Sequence, residues 1–340
     1  MNFNPFAENK IPSVSMFAKE AEKKLRSTQQ ETANSLESHY GVTTYLGRMM
    51  NPEVRGFFEE LAEQIGEEKA EELLSDGDEY TEFDGTGDLI AFDCSYAPIT
   101  FLPELPKGLK GLICQSTKIT SLPELPEGLR KLNCSSTQIT SLPKLPKELN
   151  KLYCSHTQIT SLPELPEGLQ ELHCESTQIT SLPELPKGLK KLHCLNTQIT
   201  SLPELPEGLG WLDCQNTQIT SLPELPEGLV GLSCGFTQMT TLPELPKGLR
   251  EIYFSGTKAT SLPALPEGLE WLYCENSQIT SLPELPKGLK LLHCYNTQIT
   301  SLPELPEGLE TLFCYDTPLA EDSEAIEDLR TRYPNLHIVS

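Results

Sequence analysis

The stretch "HCLNTQITSLPELPEGLGWLDCQNTQITSLPELPEGLVGLSCGFTQ" (residues 193–238) decides the fold. It states one twenty-residue phrase more than twice, and the chain repeats that phrase over most of its length. Cysteines stand at 94, 114, 134, 154, 174, 194, 214, 234, 274, 294 and 314, each step twenty or a multiple of it. The one vacant place holds Phe254. A fixed period of this length is the signature of a solenoid, whose units bury their apolar faces only against one another.

Read from Leu109, the unit is L-x-x-L-x-C-x-x-T-x-I followed by T-S-L-P-E-L-P. This is the leucine-rich-repeat pattern, with Cys in the third apolar slot and Thr where Asn is usual. Leu112 and Cys114 lie two apart, so they share the inward face of a short strand while 111, 113 and 115 face outward. The rest of the unit is too short and too proline-rich for a helix. Pro103 and Pro106 predict an extended, polyproline-like path on the convex side. Gly108 and its equivalents mark the turn back to the strand, and Glu148 in that slot shows that positive φ is no absolute requirement there. Twelve strands are expected, centred on residues 93 to 313 in steps of twenty.

The cysteines read as a ladder of small buried hydrophobes. No C-x-x-C pair exists, and the regular spacing is unlike a secreted disulfide framework, so reduced thiols and a reducing compartment are expected. Phe254 for Cys, with Ala259 for Ile and Ile252 for Leu, reads as one repacked layer of conserved volume.

Charge narrows the function classes. The net charge is −23, and residues 51–88 alone hold fourteen acidic against two basic residues. So acidic a chain repels nucleic acid, which needs clustered Lys and Arg. No apolar run reaches the length of a membrane span, and the first twenty residues lack the pattern of a cleavable signal. Slot 107 and its equivalents alternate Lys and Glu almost throughout, which keeps like charges apart. Slot 104 is Glu in nine of eleven repeats, with Lys144 and Ala264 the exceptions. That ridge is either simply solvated or a docking surface for a basic partner.

The ends differ from the middle. Residues 13–40 carry helical periodicity, from Val14 and Phe17 to Leu36 and Tyr40, with Gly41 as a stop. Asn51-Pro52 predicts a second helix with apolar face Val54, Phe57, Phe58, Leu61, Ile65, Leu73 and Leu74, slightly weakened by Gly66. The two would form a hairpin over the first repeat. The linker 75–88 is acidic enough to suggest calcium but fails the EF-hand spacing at Thr81 and Gly87. After the last repeat, a short helix through Ile326 and Leu329 stops at Pro334, and Leu336 and Ile338 repeat the inward pattern once more. The expected fold is an α/β repeat protein: a leucine-rich-repeat solenoid with a parallel concave sheet and a polyproline-like convex side, capped by an N-terminal helical hairpin. It divides into 1–88, a helical region with acidic linker; 89–320, the solenoid; and 321–340, a C-terminal cap.

The run L-P-E-L-P-x-G-L-x-x-L-x-C-x-x-T-Q-I-T-S resembles the bacterial twenty-residue leucine-rich repeat, the type found in effectors delivered by type III secretion. The resemblance covers about residues 89–320 and implies a protein-binding solenoid, with residues 13–75 similar to the family's helical cap. With the reduced cysteines pointing to a cytoplasmic protein, the resemblance implies export to a host cytosol without a signal peptide if it is an effector. Some members continue into an E3 ubiquitin ligase domain with a Cys-x-Asp active site. Cys314-Tyr315-Asp316 matches that tripeptide, but Cys314 fills the ladder slot and fewer than thirty residues follow, so the match reads as accidental.

The functional message lies where the repeat varies: slots 110, 111, 113, 115 and 116. Slots 111, 113 and 115 form the concave face. Early strands there are small and polar; later ones are aromatic. Slot 113 supplies Tyr253, Tyr273, His293 and Phe313; slot 115 supplies Glu275, Tyr295 and Tyr315; slot 111 supplies Trp211 and Trp271, the two tryptophans of the chain. Tyr and Trp anchor interfaces, although aromatics on a sheet also stabilise it by packing across strands. His173, Glu175, His193 and Asp213 form a second, polar group. They are of the types that hold zinc, but flat parallel strands rarely converge ligands into a tetrahedron, so they are expected to be part of the binding face. No nucleophile–base–oxyanion set is present. The expectation is a non-catalytic scaffold without cofactor or metal that binds a protein partner on the concave face, as an effector or as the substrate-recognition subunit of an enzyme such as a ubiquitin ligase on another chain.

Overall fold

The computed structural model describes residues 42–74 and 81–340. The first expected helix, over 13–40, lies outside them. The repeats lay down one strand each: β4 (Leu89–Asp93), then three-residue strands from β5 (Gly111–Ile113) to β15 (Thr311–Phe313), twenty residues apart. Each three-residue strand is centred on the inward Leu, or Ile252 in β12, one residue before the expected centre. They pair in parallel, in sequence order and in a single register, so that Leu112 faces Leu132 and Tyr253 faces Tyr273. A fixed repeat length allows no other register, because a slip of one residue would turn every Leu outward.

The core runs the length of the sheet as stacked Leu, Cys and Ile rows, all eleven cysteines buried and free. Cys114 Sγ–H points at the Asn133 carbonyl one strand on (3.5 Å), and Cys94, Cys134, Cys154, Cys174 and Cys274 repeat the contact. Burial pushes the thiols up, Cys134 to about 12. From the second repeat on, the Thr slot closes each turn: Thr117 Oγ1 donates to the Cys114 carbonyl at 2.8 Å, and Ser277 does the same for Cys274 at 2.6 Å. Phe254, Ala259 and Ile252 are all fully buried, as one layer.

The turn chemistry differs from expectation. The left-handed residue of each repeat is slot 116, from Tyr96 and Ser116 through Asn276 to Asp316. Several of these are Asn, Asp or Gly, the types that reach this region most easily. The Gly108 slot has no positive φ. Its glycine makes room instead: a Cβ at Gly228 would sit 3.0 Å from the Glu207 carbonyl, and at Gly188 3.3 Å from that of Glu167.

At the leading end, β1 (Thr43–Tyr45) and β2 (Arg48–Met50) form an antiparallel hairpin that helical periodicity did not predict. Its turn, Leu46-Gly47, has positive φ at both residues, the geometry that two-residue hairpins favour. Helix α1 (Pro52–Ile65) begins as expected, with the Asn51 side chain accepting the Val54 N–H and Pro52 at the first position. Gly66 does more than weaken the helix. At φ 90° it ends α1 and starts a separate short helix, α2 (Glu67–Glu72). Phe57 and Phe58 pack edge-on against Phe92 of β4, so α1 covers the first repeat. In the described part of the acidic linker, β3 (Glu82–Phe83) adds an antiparallel strand to β4. The Asp84 carboxylate is used to pin the turn between them, accepting from Thr86 N (2.9 Å), Thr86 Oγ1 (2.8 Å) and Asp88 N (3.0 Å).

At the far end come α3 (Pro318–Glu321), α4 (Ser323–Arg332) and β16 (His337–Val339), which pairs in parallel with β15. Ile326 and Leu329 are buried and Ile338 continues the inward row, as the pattern required. Among the described residues no helix is long and apolar enough to cross a membrane.

Candidate functional site

Because the register is exact to the residue type, like slots stack across the concave face. In the later repeats this gathers six aromatic or imidazole rings into one network. The Tyr253 and Tyr273 rings are stacked 4.3 Å apart at 10°. Tyr273 meets His293 at 4.7 Å, and His293 meets Phe313 at 4.4 Å. His293 also touches Tyr295 of its own repeat at 6.0 Å, and Tyr295 stacks on Tyr315 at 4.4 Å and 11°. All six are half-buried. Face-to-face stacking between strands leaves ring edges and hydroxyls toward the concavity. Burial, then Tyr273 and Glu251, pushes the Tyr253 hydroxyl up to about 12.

The tryptophans stand differently from the slot pattern alone. Trp271, beside Tyr273 on the same strand, has the Lys290 ammonium 5.6 Å from its ring centroid. Lys290 in turn bonds Glu270 at 2.6 Å, which also takes Arg250 at 2.5 Å. Trp211 lies down on the sheet instead of joining the network. Its ring covers Gly231, where a Cβ would come within 2.2 Å of it. The small residues Gly231, Ser233 and Gly235 separate it from Tyr253.

Glu275 does not stand out from the face. It is 8% exposed, with Ser255 Oγ donating to its Oε1 at 2.8 Å and no hydrogen-bond partner on Oε2. Ser255 is a site neighbour that sequence reasoning passed over, as it did Gly231 and Lys290. A signal existed for the pair around Trp211: glycine follows tryptophan in the same slot one repeat on.

The polar group assembles as well. The His173 and His193 rings stack at 4.3 Å and 26°, with Tyr153 edge-on to His173 at 4.8 Å. His173 Nδ1 lies 4.0 Å from Glu175 Oε1, and His193 Nδ1 3.9 Å from Asp213 Oδ2. Burial pushes both imidazoles down, against the pull of the carboxylates. Stacked rings aim their nitrogens side by side, and among the described residues no three His, Cys, Asp or Glu are placed to hold a metal ion. Tyr153, whose hydroxyl donates to Glu171 at 2.6 Å, belongs with this group and lies one strand earlier than the expected set.

A single-register parallel sheet with variable residues on its hollow side defines a leucine-rich-repeat protein. Its repeat is of the bacterial, effector-like kind. The chain is similar to YopM from Yersinia enterocolitica WA-314, with 36% identity and a TM-score of 0.64 over 65% of this chain and 49% of that one. It therefore spans about half the length of that protein. It is similar also to YopM of Yersinia pestis, a leucine-rich effector protein, with 26% identity and a TM-score of 0.51 over 66% of this chain and 77% of that one. The functional domain of InlJ from Listeria monocytogenes, which includes a cysteine ladder, shares the fold at 23% identity and a TM-score of 0.54, over 66% of this chain and 58% of that one. No family model matches the sequence, and no curated protein matches it.

Proposed function

We propose that this chain is a non-catalytic scaffold that holds a protein partner on the concave face of its later repeats. The observation that carries this reading is the ring network from Tyr253 to Tyr315: six half-exposed rings in continuous contact, all in slots that the framework leaves free. Rigid aromatics held in place by their neighbours lose little entropy on binding, and such residues dominate interface energetics. Trp271 and Glu275 flank this patch, and His173, Glu175, His193 and Asp213 form a second, polar contact region further along the same face. The likeness to YopM supports an effector that acts in a host cytosol. Residues 89–320 are the scaffold and 1–88 and 321–340 its two ends, a division supported by the packing of α1 on Phe92 and of β16 on β15.

The test begins with a partner captured from host cytosol and then measures its affinity for variants beside their melting temperatures. Trp271→Ala or Tyr273→Ala should cost about 2 kcal/mol or more, roughly thirtyfold in affinity. Substitutions at Gln115 or Ser135 on the early strands should change little. If the aromatic variants bind normally, or lose binding only by unfolding, the later face is not the recognition site.

A further inference from the structure

Glu175 and Glu275 occupy the same slot five repeats apart, and they are the acidic residues of slot 115. Among the described residues, their Oε2 atoms are the buried side-chain oxygens and nitrogens that have no hydrogen-bond partner. A carboxylate oxygen withdrawn from water without a donor is costly, and a fold keeps such a group only where something else is served by it. Of the surrounding cations, Lys191 acts on His173 and His193, and three others are already engaged. Lys290 and Arg250 are both held by Glu270, and Lys151 is held by Glu171 at 3.0 Å. The imidazoles beside the two glutamates, His173, His193 and His293, are pushed down by burial and add no positive charge at neutral pH.

Each glutamate also sits against ring systems. Glu275 follows Tyr273 in the same repeat and neighbours His293 and Tyr295; Glu175 follows His173 in the same repeat and neighbours His193. On the near side of Glu275, slot 115 holds Ser255 and then Gly235, so the floor there is low and a long side chain has room to descend. A second copy of this chain, at −23, and an anionic membrane surface are both repelled.

We infer that Glu175 and Glu275 are two docking points for cationic side chains, lysine or arginine, of the protein partner. This rests on the concave-face reading and supplies the partner's chemistry. On docking, Glu275 turns outward and exchanges its single bond from Ser255 for bonds from a cationic donor, which arginine can make in a bidentate pair. Five strands at ~4.8 Å set the two points roughly 24 Å apart. An extended chain spans that distance in about seven residues at ~3.3 Å each.

The test uses the full chain at about 150 mM salt, where exposed charges are screened beyond about 8 Å. The probe is an acetylated, amidated peptide with arginine at both ends of a Gly/Ser spacer of about six residues, and its control carries citrulline at both ends. Glu275→Gln and Glu175→Gln should each weaken the arginine peptide at least threefold, and the double variant more. Both variants should melt at or above the parent temperature, since each replaces a buried carboxylate oxygen that has no donor. Glu284→Gln, the same charge change on the convex ridge, should have no effect, and the citrulline peptide should not bind. The inference is overturned if the parent chain does not bind the arginine peptide, if Glu284→Gln weakens it as much as Glu275→Gln, or if citrulline binds equally well. Should that happen while Trp271→Ala still abolishes partner binding, the cationic inference falls and the concave-face reading stands.

Discussion

At the scale of the residue, the imidazoles of the concave face couple stability to pH. His173, His193 and His293 sit half-buried against other rings, and burial holds each below its ordinary value near 6.5. The unfolded chain therefore takes up these protons at higher pH than the fold does. Stability from the neutral rings is fully present above about pH 6.5 and is lost as pH falls below it toward the folded values. Glu175 and Asp213 offset part of the effect on the first two, because their charge pulls those imidazoles up. Asp213 works in the other direction at lower pH, since burial holds it above its ordinary 3.8 and protonation there favours the fold. The melting temperature should fall between pH 7 and 5.5. The fall should shrink in a His173→Gln/His193→Gln double variant. A flat profile in the parent chain, or an equal fall in both proteins, would remove the imidazoles from the account.

At the scale of the element, each repeat is a layer whose volume is nearly fixed. Phe254 adds bulk where its neighbours carry Cys, and Ala259 gives it back where they carry Ile; both are fully buried. Phe254→Cys should leave a cavity and destabilise by roughly 1–3 kcal/mol, and adding Ala259→Ile should recover part of the loss. Thermal melts showing simple additivity would mean the two side chains do not share a space. This layer was legible in the sequence because volume compensation is visible as a departure from a repeated phrase. The inward rows and the sheet order were legible for the same reason: a period of twenty permits one register. Turn geometry was less so. Glycine at slot 108 invites a reading through φ, whereas Gly228 is there because the previous repeat's carbonyl passes within 3.0 Å of where a Cβ would be. That contact is between repeats and leaves no local pattern. The hairpin at 43–50 was hidden by its Leu-Gly turn, which lacks the usual Asn-Gly signal. Of the site, the ring ladder could be written down from slots 113 and 115 alone. The burial of Glu275 and the collapse of Trp211 onto Gly231 could not, because each depends on a smaller side chain one strand away.

At the scale of the whole molecule, a solenoid is held together by contacts between neighbours, so a disturbance at one end should travel only a few repeats. The cysteine ladder provides a reporter for this, one buried thiol every twenty residues with a single gap at 254. In the intact chain every thiol should label slowly. Burial hides them all and pushes their pKa up, Cys134 to about 12 and Cys314 to about 11. At the C-terminal end, β16 supplies the Val339 carbonyl that accepts the Cys314 N–H at 2.8 Å, and α4 adds Ile326 and Leu329 to the core. Deleting residues 318–340 removes both and leaves β15 as a bare edge. Mass-spectrometric labelling should then find Cys314 fast, Cys294 intermediate, and Cys94 through Cys214 as slow as before. Far-ultraviolet signal should fall only in proportion to the repeats that fray. If all eleven thiols become fast together, the sheet is a single cooperative unit and the nearest-neighbour description of this chain is wrong. If none does, the last helix and strand contribute nothing to holding the end closed.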